Sequence, residues 1–129
     1  MKRVTGIGGV FLKAKDPKAL GEWYKAHLGI ELQDWGGNIG TMFPWDDPEG
    51  MTLLSLFPMT SKKFDPSTSP VMMNYRVDDL VALVAALRAE GCAVDDKVDD
   101  SEYGKFGWVM DPEGNRIELW QPPPAEAKA

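Results

Sequence analysis

The tetrapeptide Asp-Pro-Glu-Gly occurs twice in the 129-residue chain, at residues 47–50 and 111–114, and it constrains the fold more than any other feature. In such a tetrapeptide Asp starts a tight turn, Pro presets φ, and Gly supplies a positive φ. Each copy lies in the same succession: a strand, a capping Asp, a helix ending at Gly, and three more strands. The chain is therefore predicted to be an internal repeat, because one such unit cannot bury both its helix and its sheet.

The helix signals recur in both halves. Asp16 and Pro17 are typical N-cap and first-turn residues, and Gly29 is a natural stop. The buried stripe of this first helix is predicted to contain Leu20, Trp23, Tyr24, His27 and Leu28. In the second helix, which Asp78 or Asp79 caps and Gly91 ends, the predicted stripe is Leu80, Leu83, Val84 and Leu87.

Hydrophobic alternation and turn residues predict the strands and the domain organisation. The first module, residues 6–57, has predicted strands at 7–14, 30–35, 41–45 and 51–57. The second module, residues 71–121, has them at 71–77, 93–95, 106–110 and 115–121. Residues 58–70 are predicted to be a linker, 96–102 an acidic loop and 122–129 a tail. Residues 1–129 thus form a single predicted domain.

Composition excludes several classes of protein. The net charge of −6 argues against binding to nucleic acid or to an anionic membrane, because both require a basic face. No apolar run approaches the ~20 residues of a membrane span. Cys92 is the only cysteine, so no internal disulfide can form and a reducing, cytoplasmic location is the expectation.

The last predicted hairpin carries a candidate site residue. In its second strand, Arg116, Glu118 and Trp120 alternate with Ile117 and Leu119. A carboxylate at mid-strand between apolar neighbours lies either at a surface or in a site.

Several motifs together resemble the vicinal oxygen chelate superfamily of glyoxalase I, bleomycin-resistance proteins and extradiol dioxygenases. The motifs are Lys15-Asp16-Pro17, Trp23-Tyr24, Leu28-Gly29, Arg76-Val77-Asp78-Asp79 and the segment 111–119. The resemblance implies an α+β fold in which two βαβββ modules form a curled mixed sheet around a U-shaped cleft, with helices outside. It also implies a homodimer.

The resemblance assigns four possible metal-ligand positions. They fall on Gly9, on Ser55 (or on Leu54, counted differently), on Met72 and on Glu118. Divalent metals in this family take His, Glu or Gln, whereas Gly has no side chain, Met is a soft thioether and Ser is a weak donor. We therefore expect no metal cofactor.

Two interpretations of Glu118 remain open. It is either a general base or hydrogen-bond anchor for a ligand, or a structural carboxylate held by Arg116, Arg76, Lys13 or Asn74. Arg76 could clamp a substrate carboxylate or reach solvent. Among the polar aromatic residues, Tyr103 is the one favoured for contact with a ligand. The predicted ligand-binding residues are Phe11, Lys13, Ser55, Met72, Asn74, Arg76, Tyr103, Trp108 and Trp120.

His27 and Cys92 are each the only residue of their kind in the chain. His27 lies on the buried stripe of its helix, away from the predicted cleft, so packing is the expectation rather than catalysis. Cys92 is expected to be a small buried hydrophobe.

The leading functional prediction is a protein that binds a small molecule in an aromatic cleft without metal. It would either sequester the compound or act as a lyase or isomerase with Glu118 as base. The alternatives are a metal-dependent enzyme of the family and a structural or regulatory module without ligand.

Overall fold

A computed structural model describes residues 10, 12–34, 39–43, 52 and 55–124 of the chain. The helices and strands of this part are α1 (Pro17–Leu28), β1 (Gln33–Asp34), β2 (Ile39–Gly40), β3 (Met73–Arg76), α2 (Leu80–Ala89), β4 (Ala93–Val94), β5 (Asp99–Ser101), β6 (Gly104–Met110) and β7 (Arg116–Gln121). The predicted α+β class is confirmed.

The strands form two sheets. β1 and β2 make an antiparallel pair, and β3, β7, β6 and β4 lie side by side in a larger mixed sheet to which β5 adds by pairing with β6. β3 runs parallel to β7, while β6 and β7 form the predicted antiparallel hairpin. Because β7 lies between β3 and β6, its side chains have neighbours on both sides.

The residues that cap both helices are among those predicted from the sequence. The Asp16 carboxylate accepts the backbone N–H of Ala19 at 3.1 Å, and Asp79, rather than Asp78, accepts that of Ala82 at 3.1 Å. α1 ends at Gly29, whose φ of 67° is left-handed. Each cap satisfies a backbone group that the helix leaves unpaired.

The two helices share one hydrophobic core on one face of the larger sheet. Its buried residues come from α1, α2, β6 and β7: Leu20, Tyr24, Leu80, Val84, Leu87, Val109, Ile117 and Leu119. Gly107 permits a close approach of α2, since a Cβ there would lie 3.1 Å from a methyl carbon of Val84. A helix of the first half thus packs on a sheet of the second, as the duplication requires.

The structure corrects several predicted strands. Residues 99–101 form β5 inside the predicted acidic loop 96–102. In the first half, the strand predicted at 30–35 is shortened to Gln33–Asp34 within the described residues. The prediction at 41–45 is wrong for residues 41–43, which belong to no strand, and the observed strand Ile39–Gly40 precedes that range. Residues 10, 12–14, 52 and 55–57 belong to no strand. The first Asp-Pro-Glu-Gly copy, at 47–50, lies outside the described residues.

Backbone pairing explains these differences better than hydrophobic pattern does. β5 turns directly into β6, with Ser101 opposite Gly104, and needs no apolar alternation because it lies at an edge, where charged residues are common. Neither described helix is long and apolar enough to cross a membrane.

Candidate functional site

The candidate site lies on the sheet face opposite the helices. Because side chains alternate along a strand, the neighbours of the core residues Ile117 and Leu119 lie on that face. The register aligns one residue from each of β3, β7 and β6, which we call the Glu118 row: Asn74, Glu118 and Trp108. The adjacent row, the Trp120 row, contains Arg76, Trp120 and Phe106.

Within the Glu118 row, each oxygen of the carboxylate accepts one hydrogen bond. Asn74 Nδ2 donates to Oε2 at 2.7 Å, and Trp108 Nε1 donates to Oε1 at 3.1 Å. The Trp108 side chain is 8% exposed, while Glu118 is half-buried. Two uncharged N–H donors on opposite sides therefore fix the direction of the carboxylate.

The Trp120 row places two aromatic rings beside the carboxylate, a buried one from Trp120 and a half-buried one from Phe106. The Phe106 and Trp120 rings are stacked, with centroids 6.3 Å apart and planes 12° apart. Trp120 Nε1 donates to the backbone carbonyl of Tyr103 at 2.9 Å. Tyr103 thus positions Trp120 through its backbone, while the residue itself is 68% exposed at the edge.

Arg116 covers Trp108 rather than holding Glu118. Its guanidinium carbon lies 5.3 Å from the Trp108 ring centroid, within cation–π range. Its Nη2 donates to Asp95 Oδ2 at 3.1 Å, and its Nε donates to the backbone carbonyl of Lys63 at 2.9 Å. The pKa of Asp95 is lowered, first by the backbone N–H of Lys97 and then, against the opposing effect of burial, by Arg116.

Of the other predicted site residues, some lie on this face and some do not contact it. Met72 immediately precedes β3 and is half-buried; Arg76 is exposed within the Trp120 row. Lys13 and Ser55 are exposed and lie outside regular strands. Phe11 lies outside the described residues. The structure therefore brings together Asn74, Trp108 and Glu118, with Trp120 and Tyr103 in the adjoining row.

Two cavities lie away from the carboxylate. One of about 440 Å³ lies between α1 and the β1–β2 pair, with Lys18, Lys25 and Asp34 in its lining. Another of about 230 Å³ lies beside Arg76 and the prolines at 122–124. Glu118 lines neither of these two cavities, and its side chain is half-buried.

The positions that the resemblance assigns to a metal do not fit one. Gly9 offers no side chain, Met72 is a thioether, and Ser55 is exposed and off any strand. Both oxygens of Glu118 already accept N–H donors. A hard or borderline divalent ion requires several N or O ligands that converge, and this set does not supply them.

The sequence reasoning missed two contacts that the hairpin creates. Trp108 was predicted to line the cleft but not to donate to Glu118, although counting back from the turn at 111–114 pairs these two positions. The turn also reaches α1: the Glu113 carboxylate accepts the backbone N–H groups of Lys15 and Asp16 at 2.9 and 3.2 Å. His27 packs on the Trp23 ring, and Cys92 packs against the core but is half-buried rather than buried as predicted.

Comparison with protein families gives one match that spans most of the chain. The profile described as Glyoxalase-like domain matches residues 9–120. A search of curated proteins found no match.

Solved structures give similar folds. TnmS3, an antibiotic binding protein from Streptomyces sp. CB03234, has a TM-score of 0.62 and 21% identity, over 95% of this chain and 100% of that one. A glyoxalase/bleomycin resistance protein from the same Streptomyces has a TM-score of 0.54 and 25% identity, over 83% and 92%. Lactoylglutathione lyase from Agrobacterium tumefaciens has a TM-score of 0.56 and 13% identity, over 93% and 96%.

Proposed function

The chain belongs to the Glyoxalase-like domain family, and from this premise we propose that it binds and sequesters a small organic molecule on the sheet face that carries Glu118. One observation carries the proposal: Asn74 and Trp108 hold the Glu118 carboxylate from both sides. Within the described part of the chain, no cation forms an ion pair with it. The carboxylate is thus an oriented hydrogen-bond acceptor whose charge a ligand can satisfy.

The remaining acceptor sites define the ligand chemistry. A carboxylate has about four lone-pair sites, and the two N–H donors use one on each oxygen. A ligand hydroxyl, phenol or amino group can therefore donate to Glu118 while its apolar part contacts the half-buried Phe106 ring of the adjacent row. We propose a planar or aromatic compound with such donors.

Binding is favoured over a lyase or isomerase reaction with Glu118 as base. A general base must accept a proton during the reaction, whereas each oxygen of the Glu118 carboxylate already accepts an N–H group of the protein. The antibiotic-binding description of TnmS3 supports the same choice. We also propose a cytoplasmic location, which the unpaired Cys92 supports.

Glu118→Gln tests the proposal because it keeps the shape of the side chain and removes its charge. A panel of aromatic antibiotics and metabolites that carry phenol or amino groups would be screened by thermal shift against the wild type. For a compound that raises the melting temperature, we expect about 10- to 100-fold weaker binding to Glu118→Gln by titration calorimetry.

The matched control is Glu31→Gln, which makes the same change at an exposed carboxylate. It should bind the compound as the wild type does. Equal affinity for the wild type and Glu118→Gln would overturn the assignment of Glu118 as the ligand anchor.

A further inference from the structure

The ends of the two helices bring together the only histidine and the only cysteine of the chain. His27 lies in the last turn of α1, Glu90 is the C-cap of α2, and Cys92 follows two residues later. His27 Nδ1 lies 2.7 Å from Glu90 Oε1. One ligand atom each of His27, Glu90 and Cys92 can be chosen so that all three lie within 4.8 Å of one another. We call these residues the helix-end cluster.

We propose that the helix-end cluster is a zinc site, separate from the sheet face that carries Glu118. Imidazole nitrogen, thiolate sulfur and carboxylate oxygen are the donors from which proteins build zinc sites. Three protein ligands leave one tetrahedral position for water. This proposal does not depend on the proposed function, because the cluster lies on the helix side of the sheet.

The spacing needs only small side-chain adjustments. In a tetrahedral zinc site, neighbouring ligand atoms lie about 3.3 to 3.6 Å apart. The His27–Glu90 separation of 2.7 Å would widen slightly, and the widest pair of atoms, which lies within 4.8 Å, would close by at most about 1 Å. Rotation about side-chain bonds can supply such shifts without moving the backbone.

The backbone around the cluster is fixed. Cys92 N donates to the carbonyl of Leu87 at 3.0 Å, and Gly91 N donates to that of Arg88 at 3.1 Å. Gly91 adopts the left-handed φ of 80° that this helix ending requires. The His27 ring packs 5.3 Å from the Trp23 ring. Two ligands of the proposed site are therefore held in place by neighbouring groups before any metal binds.

Electrostatics and access also favour a cation here. Two helix C-termini converge on the cluster, and each carries a partial negative charge from its unpaired carbonyls. The side chains of His27 and Glu90 are 23% and 44% exposed, which leaves a route for an ion. Acting against these effects, burial first and Glu90 second raise the pKa of the Cys92 thiol, and zinc must displace its proton to bind the thiolate.

Zinc in this cluster would join α1 to α2 and therefore the first half of the chain to the second. Because the unfolded chain does not hold these residues together, binding would stabilise the fold. The competing interpretation is a His27–Glu90 hydrogen bond beside a packed thiol, which requires no metal.

The test uses the full-length protein, reduced and freed of metal with a chelator, and zinc chloride as the only probe. Calorimetric titration should give one zinc per chain and a higher melting temperature. Cys92→Ser and His27→Gln should each weaken zinc binding at least tenfold. Glu102→Gln, which makes the same kind of change at an exposed carboxylate in the turn between β5 and β6, should bind zinc as the wild type does.

Cobalt(II) added to the wild type checks the thiol ligand without any substitution, and it decides the question if a variant folds poorly. A thiolate-to-cobalt charge-transfer band supports the site, and a spectrum without this band overturns it. Unchanged zinc affinity in both Cys92→Ser and His27→Gln would also overturn it. Loss of zinc from Glu118→Gln would place the metal on the other face and reject the helix-end cluster.

Discussion

Asp111 is the residue at which the second Asp-Pro-Glu-Gly turn is fastened to the first half of the chain. Its side chain is 5% exposed and accepts the Tyr24 hydroxyl at 2.8 Å. Asn115 Nδ2 donates to it at 2.7 Å, and the backbone N–H groups of Glu113 and Asn115 each donate at 2.9 Å. Four donors thus satisfy a buried carboxylate without a salt bridge to it among the described residues, so the loss of one donor is costly.

Tyr24→Phe should make stability less sensitive to alkaline pH. Burial first, and the hydrogen bond and charge of Asp111 next, raise the pKa of Tyr24 well above its ordinary value of 10.0. The unfolded chain therefore releases this proton above pH 10, whereas the folded chain keeps it. The free energy of unfolding of the wild type should fall by about 1 kcal/mol more than that of Tyr24→Phe between pH 10 and 11.

Urea denaturation at a series of pH values measures this difference. Tyr75→Phe is the control for the lost hydrogen bond at pH 7, not for the pH profile, because its own profile should also become flatter. Burial first, and then Asp111, also raise the pKa of Tyr75, whose ring packs 6.5 Å from that of Tyr24. At pH 7, Tyr24→Phe should cost about 1 to 3 kcal/mol, because one donor to a buried carboxylate is lost, and Tyr75→Phe should cost less. Identical pH profiles for the wild type and Tyr24→Phe would contradict the argument.

The periodicity of the sequence predicted on which face of a helix or strand a residue lies, but not which distant residue it contacts. The helical stripe placed Tyr24 correctly toward the core, and strand parity separated Glu118 from Ile117 and Leu119. It gave no partner for the Tyr24 hydroxyl, because Asp111 lies 87 residues away and already has a local role as the first residue of a turn. Long-range hydrogen bonds of this kind depend on packing that no local pattern encodes.

At the scale of elements, the β6–β7 hairpin depends on glycines for different reasons. Gly114 in the turn has a φ of 84°, and an added Cβ would meet nothing within 4 Å. Gly104 at the start of β6 has a φ of 116°, and a Cβ there would collide with the Gln121 carbonyl and lie 2.8 Å from Trp120 Nε1. A side chain at Gly114 would strain only the backbone, whereas a side chain at Gly104 would also collide with neighbouring atoms.

Gly104→Ala should therefore destabilise the protein more than Gly114→Ala does. Backbone strain alone makes Gly114→Ala cost about 1 kcal/mol. Gly104→Ala adds a backbone collision and should cost about 3 kcal/mol or more. Chemical denaturation measures both, and tryptophan fluorescence of the folded state should change in Gly104→Ala because Trp120 is displaced. Equal losses of stability in the two variants would contradict the role of close packing at Gly104.

At the scale of the whole molecule, the duplicated pattern was enough to predict the α+β fold. Helix caps, stripes and the hairpin are local signals, and their repetition indicates that the halves share a core. The candidate site was predicted only in part. The alternation of side chains along the strands predicted that Asn74 and Glu118 share a face. Only the strand register shows that Trp108 lies opposite Glu118 as a hydrogen-bond donor. Lys13 and Ser55 did not join them, because the strands predicted for residues 7–14 and 51–57 are absent from the described parts of those ranges.

The distribution of exposed apolar residues predicts a homodimer. Met42, Phe43, Leu56 and Met59 are all exposed, with Leu56 at 89% and Met59 at 96%. Large exposed apolar side chains are enriched at protein interfaces, and the prediction is that these four lie in one dimer interface. We expect the wild type to elute in size-exclusion chromatography with a light-scattering mass twice the 14.3 kDa of one chain.

Introducing charge at this surface should separate the two protomers. Leu56→Lys combined with Met59→Lys would place two ammonium groups in an apolar interface, where they would lose hydration without a partner. The doubly substituted protein should have the mass of one chain at micromolar concentration and keep its helical circular dichroism. Val81→Lys, at an exposed apolar position of α2, is the matched control and should remain dimeric. A wild type with the mass of one chain at all concentrations would refute the dimer, and a dimer that survives both substitutions would exclude this surface as its interface.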